Sequence, residues 1–137
     1  FEGFKKTLIE QNDARYGDEI RSKYGAEAVE ASNRKLQGMS EEAFSEANAL
    51  GEALLIKLTE AMTTGLPGDA AAQQVADMHK RWLSFYWPVY SAQAHAGLVE
   101  MYVQDERFTA FYDDRCGKGA AAFLRDAVLI YTGADKA

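Results

Sequence analysis

Apolar side chains recur along this chain at three- and four-residue steps, the spacing of one helix face. No stretch alternates apolar and polar residues as a half-buried strand does, and proline stands only at positions 67 and 88. The pattern predicts an all-α fold. Its clearest helix follows Ser40, an N-cap residue with Glu41 and Glu42 placed favourably for the helix dipole. Phe44, Ala47, Leu50, Leu54, Leu55, Leu58, Ala61 and Met62 form its stripe, and Gly65 suits the left-handed terminal position.

Downstream, Leu66-Pro67-Gly68-Asp69 reads as a turn, with Asp69 capping a helix through Val75, Met78 and Trp82 that Pro88 breaks. Ser91 is placed to cap a helix through Leu98, Met101 and Tyr102, and Asp105 one carrying Phe108, Phe111 and Tyr112. After a loop at 116–119, Ala120, Phe123, Leu124, Ala127, Val128 and Tyr131 predict a last helix ending at Gly133. Upstream, Phe4, Leu8 and Ile9 share a face, with a stop at Gly17. Short pieces follow near Asp18–Tyr24 and Ala26–Leu36, bounded by Gly25 and Gly38. The first 38 residues are poor in large aliphatics, and short helices are marginal without packing partners. A mobile lobe, 1–38, over a stable bundle, 39–137, is the expected organisation of this single domain.

Composition narrows the function more than the fold. The 137 residues are 47% apolar and 26% charged, ordinary for one globular domain. No apolar run approaches the roughly 20 residues needed to cross a bilayer, so no membrane is expected as a partner. One cysteine builds no disulfide framework, which points to the cytoplasm. The start at Phe1 suggests a piece of a longer protein. With 15 basic residues against 21 acidic ones and a net charge of −6, the chain lacks the basic surface that binds duplex phosphates. Any DNA contact belongs to another domain.

The densest feature is Trp82-Leu83-Ser84-Phe85-Tyr86-Trp87-Pro88-Val89-Tyr90. On a helix its apolar side chains sweep about 200° of circumference, against the ~100° that a core-facing stripe needs. One part of the set is free to fill the core while another faces a cleft, a place that suits tyrosine and tryptophan. The break at Pro88 would splay two helices, with Tyr102, Phe108, Phe111 and Tyr112 as the opposite wall. The plainer alternative is a generously aromatic core. His79 and His95, 16 residues apart, make no metal motif. His79 is expected at a surface or boundary position, His95 beside the cleft. Cys116 reads as a loop thiol without a catalytic role, although Arg115 and Lys118 flank it. The run Gly117-Lys118-Gly119-Ala120 loosely matches a dinucleotide fingerprint but follows no strand, and it is discarded. Glu100, Asp105, Glu106, Asp113 and Asp114 read as caps and a solvated face. No nucleophile–base pair is evident, so no enzyme, metal or cofactor is expected.

His79-Lys80-Arg81-Trp82, Phe85-Tyr86 and His95-Ala96-Gly97-Leu98-Val99-Glu100-Met101-Tyr102 resemble the TipAS antibiotic-recognition domain. So do Asp105-Glu106-Arg107-Phe108 and Ala122-Phe123-Leu124-Arg125-Asp126-Ala127, with Tyr24-Gly25 and Met39-Ser40-Glu41-Glu42 upstream. The resemblance implies a globin-like, all-α bundle with a ligand cleft and no haem. It implies the C-terminal sensor of a MerR-type regulator, dimeric when whole, whose DNA-binding domain is missing here. The implied ligand is a thiopeptide or another bulky, hydrophobic, multi-ring compound, with the N-terminal helices ordering over it. The residues expected to hold it are Trp82, Phe85, Tyr86, Tyr90, His95, Gly97, Leu98, Met101, Tyr102, Phe108 and Phe111. One departure matters. The founding thiopeptide sensor traps its ligand through a cysteine where this chain has Gly97, and Tyr90 matches a second cysteine, so binding here is expected to be non-covalent. The competing reading is a small haem-binding globin with His79 or His95 as axial ligand.

Overall fold

The computed structural model describes residues 1–14 and 25–136, and among these it is helical with no strand. The helices are α1 (Glu2–Asn12), α2 (Ala26–Gln37), α3 (Glu41–Met62), α4 (Ala70–Tyr86), α5 (Ala92–Gln104), α6 (Glu106–Cys116) and α7 (Ala120–Thr132), followed by a 3-10 turn at Ala134–Lys136. The expected piece at Asp18–Tyr24 and its stop at Gly17 lie outside the described residues.

Local chemistry sets most boundaries. Ser40 Oγ accepts the Ala43 N–H at 3.0 Å at the start of α3, and Ser91 Oγ accepts that of Ala94 at 3.0 Å at the start of α5. Asp105 Oδ1 accepts the Arg107 N–H at 3.0 Å at the head of α6. Asp69 occupies the N-cap of α4 but makes no side-chain cap hydrogen bond. Pro88 disfavours helical backbone in the residue before it, and α4 stops at Tyr86 with Trp87 extended at φ −83°, ψ 131°. The α6–α7 corner depends on Gly117 and Gly119, at φ 116° and 91°, where a Cβ would be strained. Asp113, on α6, caps the following helix, accepting Gly119 and Ala121 N–H at 3.1 and 2.9 Å.

The core lies around α7, which packs against α3, α4, α5 and α6. Ala120, Ala121 and Ala127 are fully buried on it, so neighbouring helices approach closely. Leu58, Val75, Val99, Leu124 and Val128 interlock between them with no exposed surface. Each such side chain contributes about 1.5–3 kcal/mol by leaving water. Cys116 is not in a loop. It is the last residue of α6, buried in this core, and its Sγ donates to the Leu55 carbonyl at 3.4 Å.

The N-terminal helices are held to the bundle through two lysines as well as through buried Leu36 on α2. Phe4, which its spacing places on one face with Leu8 and Ile9, is exposed and meets Phe44 edge-on at 5.5 Å. Its neighbour Lys5 is buried instead. Lys5 Nζ donates to the carbonyls of Gln37, the last residue of α2, and of Met39 just beyond it, and pairs with Glu2 at 3.0 Å. The last carbonyls of a helix have no partner within it, which makes a buried ammonium tolerable there. Lys35 does the same for α4, donating to the Ser84 and Trp87 carbonyls, while Ser32 Oγ donates to the Tyr86 carbonyl at 3.2 Å.

Candidate functional site

A cleft of about 190 Å³ opens between α3, α4 and α6. Asn48, Gly51, Glu52 and Leu55 supply one side, at steps of three, four and seven along α3. Trp82 faces them from α4, Phe111 and Tyr112 from α6, with His79 at the floor. Gly51 matters here because a Cβ at that position would stand 3.2 Å from Trp82 Nε1, so its absence lets the indole lie against the α3 backbone. At the rim, Arg115 and Glu52 form a 2.7 Å ion pair between α6 and α3, and Phe111 is 49% exposed at the mouth. An apolar hollow of this size suits one or two fused rings, since cavities of about 150 Å³ take up benzene.

Below the cleft the polar groups join in one line. His79 Nε2 is 3.2 Å from the Tyr102 hydroxyl, and His79 Nδ1 is 2.7 Å from His95 Nε2. His95 Nδ1 is in turn 2.7 Å from the Tyr90 hydroxyl. The two imidazoles stack with centroids 4.9 Å apart. Burial, then the neighbouring His95, lowers His79 to about 3. Burial, then the Lys80 ammonium, lowers His95 to about 4. Both are therefore neutral near pH 7. Burial pushes the Tyr112 phenol up to about 12, so it too keeps its proton.

This corrects the sequence expectation for His79, which is fully buried and not at the surface. Alternating histidine nitrogens and phenol oxygens satisfy one another, and that is how two imidazoles are kept inside an apolar bundle. The same bonds occupy all four imidazole nitrogens, so neither histidine presents one to a haem iron in this arrangement.

Of the eleven expected site residues, Trp82 and Phe111 line this cleft. His95 reaches it only through His79. Tyr102 is a buried core residue beneath it, while Leu98, Met101 and Phe108 pack partly buried against the core. Tyr86 is half-buried against Trp82, rings 5.3 Å apart, and Tyr90 stacks on Trp87 at 6.2 Å. Phe85 is half-buried and Gly97 exposed on α5; neither lines the cleft. This cleft lies between α3, α4 and α6, away from the Pro88 break. That corner is covered by α2 through Lys35 and Ser32. The α3 side of the cleft was missed, although one signal was available: a glycine at position 51 inside the strongest helical stripe of the chain.

Among the described residues no group of three metal-ligating side chains occurs, and no helix is long and apolar enough to cross a membrane. The TipAS antibiotic-recognition domain matches residues 16–131. The transcriptional activator Mta of Bacillus subtilis is 30% identical over 131 residues, covering 96% of this chain and 50% of that protein. The transcriptional activator TipA of Streptomyces coelicolor is 30% identical over 116 residues, covering 83% and 46%. The chain thus spans about half the length of the curated relatives it matches. Among solved structures, TipAS of Streptomyces lividans in complex with the thiopeptide nosiheptide superposes with a TM-score of 0.74 at 26% identity, covering 91% of this chain and 88% of that one. The all-α, globin-like fold is common to both. With its helices in the same arrangement and the match running from residue 16 to 131, the chain belongs to the TipAS antibiotic-recognition domain family.

Proposed function

We propose that this chain is the ligand-sensing domain of a MerR-type transcriptional activator and binds thiopeptide-like or other bulky, multi-ring hydrophobic compounds without a covalent bond. It is not an enzyme. The whole protein works in the cytoplasm as a homodimer and touches DNA through another domain. The observation that carries this reading is the cleft bounded by Trp82, Phe111 and Tyr112, large enough to seat a planar ring system. Relatives named as helix-turn-helix activators, and a relative solved with nosiheptide, support it. The acidic balance of this chain suits a sensor that leaves DNA contact to another domain.

Size sets the binding mode. Ligand sites usually enclose about 300–1,000 Å³, several times a two-ring fragment. The 190 Å³ cleft therefore anchors one end of a large ligand, and the remainder lies across the mouth. Burying about 200 Å² of apolar ring surface is worth roughly 5 kcal/mol before ordering costs. Tighter binding requires further contacts beyond the cleft itself. Non-covalent capture fits the placement of Cys116, whose thiol is buried against the Leu55 carbonyl.

Titration with thiostrepton, nosiheptide and polycyclic dyes, followed by tryptophan fluorescence and far-ultraviolet circular dichroism, tests the proposal. Saturable binding is expected, weakened at least tenfold by Trp82→Ala or Phe111→Ala, with unmodified protein mass after denaturation. Flat responses to the whole panel would refute it.

A further inference from the structure

The cleft is walled largely by apolar and aromatic side chains, and a single charge is set among them. Of the described residues that line it, Glu52 alone carries a formal charge, because burial keeps His79 neutral. Arg115, the partner of Glu52, stands at the rim and outside the lining. Their contact is one-pronged. Arg115 Nη2 donates to Glu52 Oε2 at 2.7 Å, and Glu52 Oε1 has no partner among the described residues. The two side chains are 46% and 64% exposed, so the pair is weakly held and exchanges partners at little cost.

The two partners differ in what they keep when the pair opens. Arg115 lies in the last turn of α6, where the helix carbonyls favour a cation, and exposed Asp114 is beside it in the chain. Arg125 pairs with its own neighbour Asp126 at 2.9 Å, so adjacent residues of this kind can reach one another on a helix. Glu52 stands near the middle of the 22-residue α3, with Asn48 one turn before it and Ile56 one turn after, neither of them basic. Opening the pair therefore leaves the carboxylate, and not the guanidinium, in need of a partner. The rings of Trp82, Phe111 and Tyr112 border the same hollow, and aromatic faces attract cations. The net charge of −6 on the chain adds a field of the same sign.

We propose that the cleft selects aromatic ring systems that carry a positive charge, with the Glu52 carboxylate exchanging Arg115 for the cation of the ligand. This rests on the cleft being the ligand site and narrows the compounds it takes. The ring fills the hollow between Trp82 and Phe111, and its charge lies beside Glu52 on the α3 side. Arg115 swings back onto the end of α6 and toward Asp114. A neutral ring of the same shape gains burial alone, and an anionic ring meets the carboxylate with the wrong sign.

Three bicyclic probes of similar shape test this: N-methylquinolinium, with a permanent charge and no N–H; neutral 1-methylnaphthalene; and the anion 1-naphthoate. Affinities are read from the ¹H–¹⁵N shift of the Trp82 indole, assigned with Trp82→Phe. The quinolinium should bind about fivefold tighter than methylnaphthalene, the size of one exposed charge contact, and naphthoate more weakly than either. Glu52→Gln should bring the cation and the neutral ring within about twofold of each other, and Arg115→Met should tighten the quinolinium about threefold by freeing the carboxylate. An ion pair that only braces α3 against α6 predicts weaker binding in both variants, and a weaker quinolinium complex in Arg115→Met would overturn the proposal. Equal binding of cation and neutral ring, or a preference for naphthoate, overturns it too. Both positions are exposed; should either variant lose helicity, the three probes on the unaltered chain decide alone. Binding of methylnaphthalene without any preference for the cation removes the charge selection and leaves the cleft as the ligand site. If no probe moves the Trp82 signal the proposal fails as well, and a thiostrepton titration then separates the two readings: a saturable response leaves the sensing role standing, and a flat one removes both.

Discussion

Acidification from pH 7 to pH 5 interrogates the buried histidine pair. In the unfolded chain each imidazole titrates at its ordinary value of 6.5, whereas in the folded protein burial holds His79 to about 3 and His95 to about 4. Below pH 6.5 the unfolded chain therefore binds protons that the folded one excludes, so stability is retained above 6.5 and lost as the pH falls. Each excluded proton costs about 1.4 kcal/mol per pH unit once the unfolded imidazole is charged. Two histidines together remove about 3–4 kcal/mol between pH 7 and pH 5, and the loss levels off near the folded values of about 4 and 3. Against a total stability on the order of 5–15 kcal/mol this is a large fraction. Urea unfolding followed by helicity at pH 7, 6 and 5 measures it. A stability at pH 5 within about 1 kcal/mol of that at pH 7 would refute the neutral buried pair.

Three further outcomes follow from single contacts. Gly51→Ala places a methyl group 3.2 Å from Trp82 Nε1, so fluorescence should shift and ligand affinity fall several-fold, while better helix propensity, worth about 1 kcal/mol, keeps thermal stability near the original; unchanged fluorescence and binding would contradict the geometry. Asp113→Ala should cost about 1–2 kcal/mol in urea unfolding by uncapping α7, with Asp113→Asn recovering part of it. Lys5→Met leaves the Gln37 and Met39 carbonyls without their donor, and a loss of about 1–3 kcal/mol is expected in the same assay.

Much of this molecule was legible before any coordinates. Ser40, Ser91 and Asp105 begin helices where their side chains can accept a backbone N–H, and Pro88 ends one because the residue before it is pushed out of helical backbone. The TipAS blocks, Trp82 through Tyr102 above all, identified the family, which the comparisons bear out. Less was legible at the site. The aromatic segment drew attention to Phe85 through Tyr90, yet the cleft uses Trp82, together with an α3 face whose members are small, polar or aliphatic. Asn48, Gly51 and Glu52 have nothing in their chemistry that announces a binding wall, because their contribution is the room they leave.

Periodicity, caps and breakers act within a few residues, so the sequence alone determined the helices, their main ends and the all-α class. Which faces meet was decided by the tertiary structure. His79 and His95 stand 16 residues apart in the chain, and only the packing of both α4 and α5 against α7 brings their nitrogens within 2.7 Å and excludes the water that would otherwise charge them. Lys5 is another case: a residue that reads as solvated is buried because two carbonyls distant in sequence lack donors. Hydrogen-bond satisfaction and excluded volume are properties of the assembled bundle, and no local pattern encodes them.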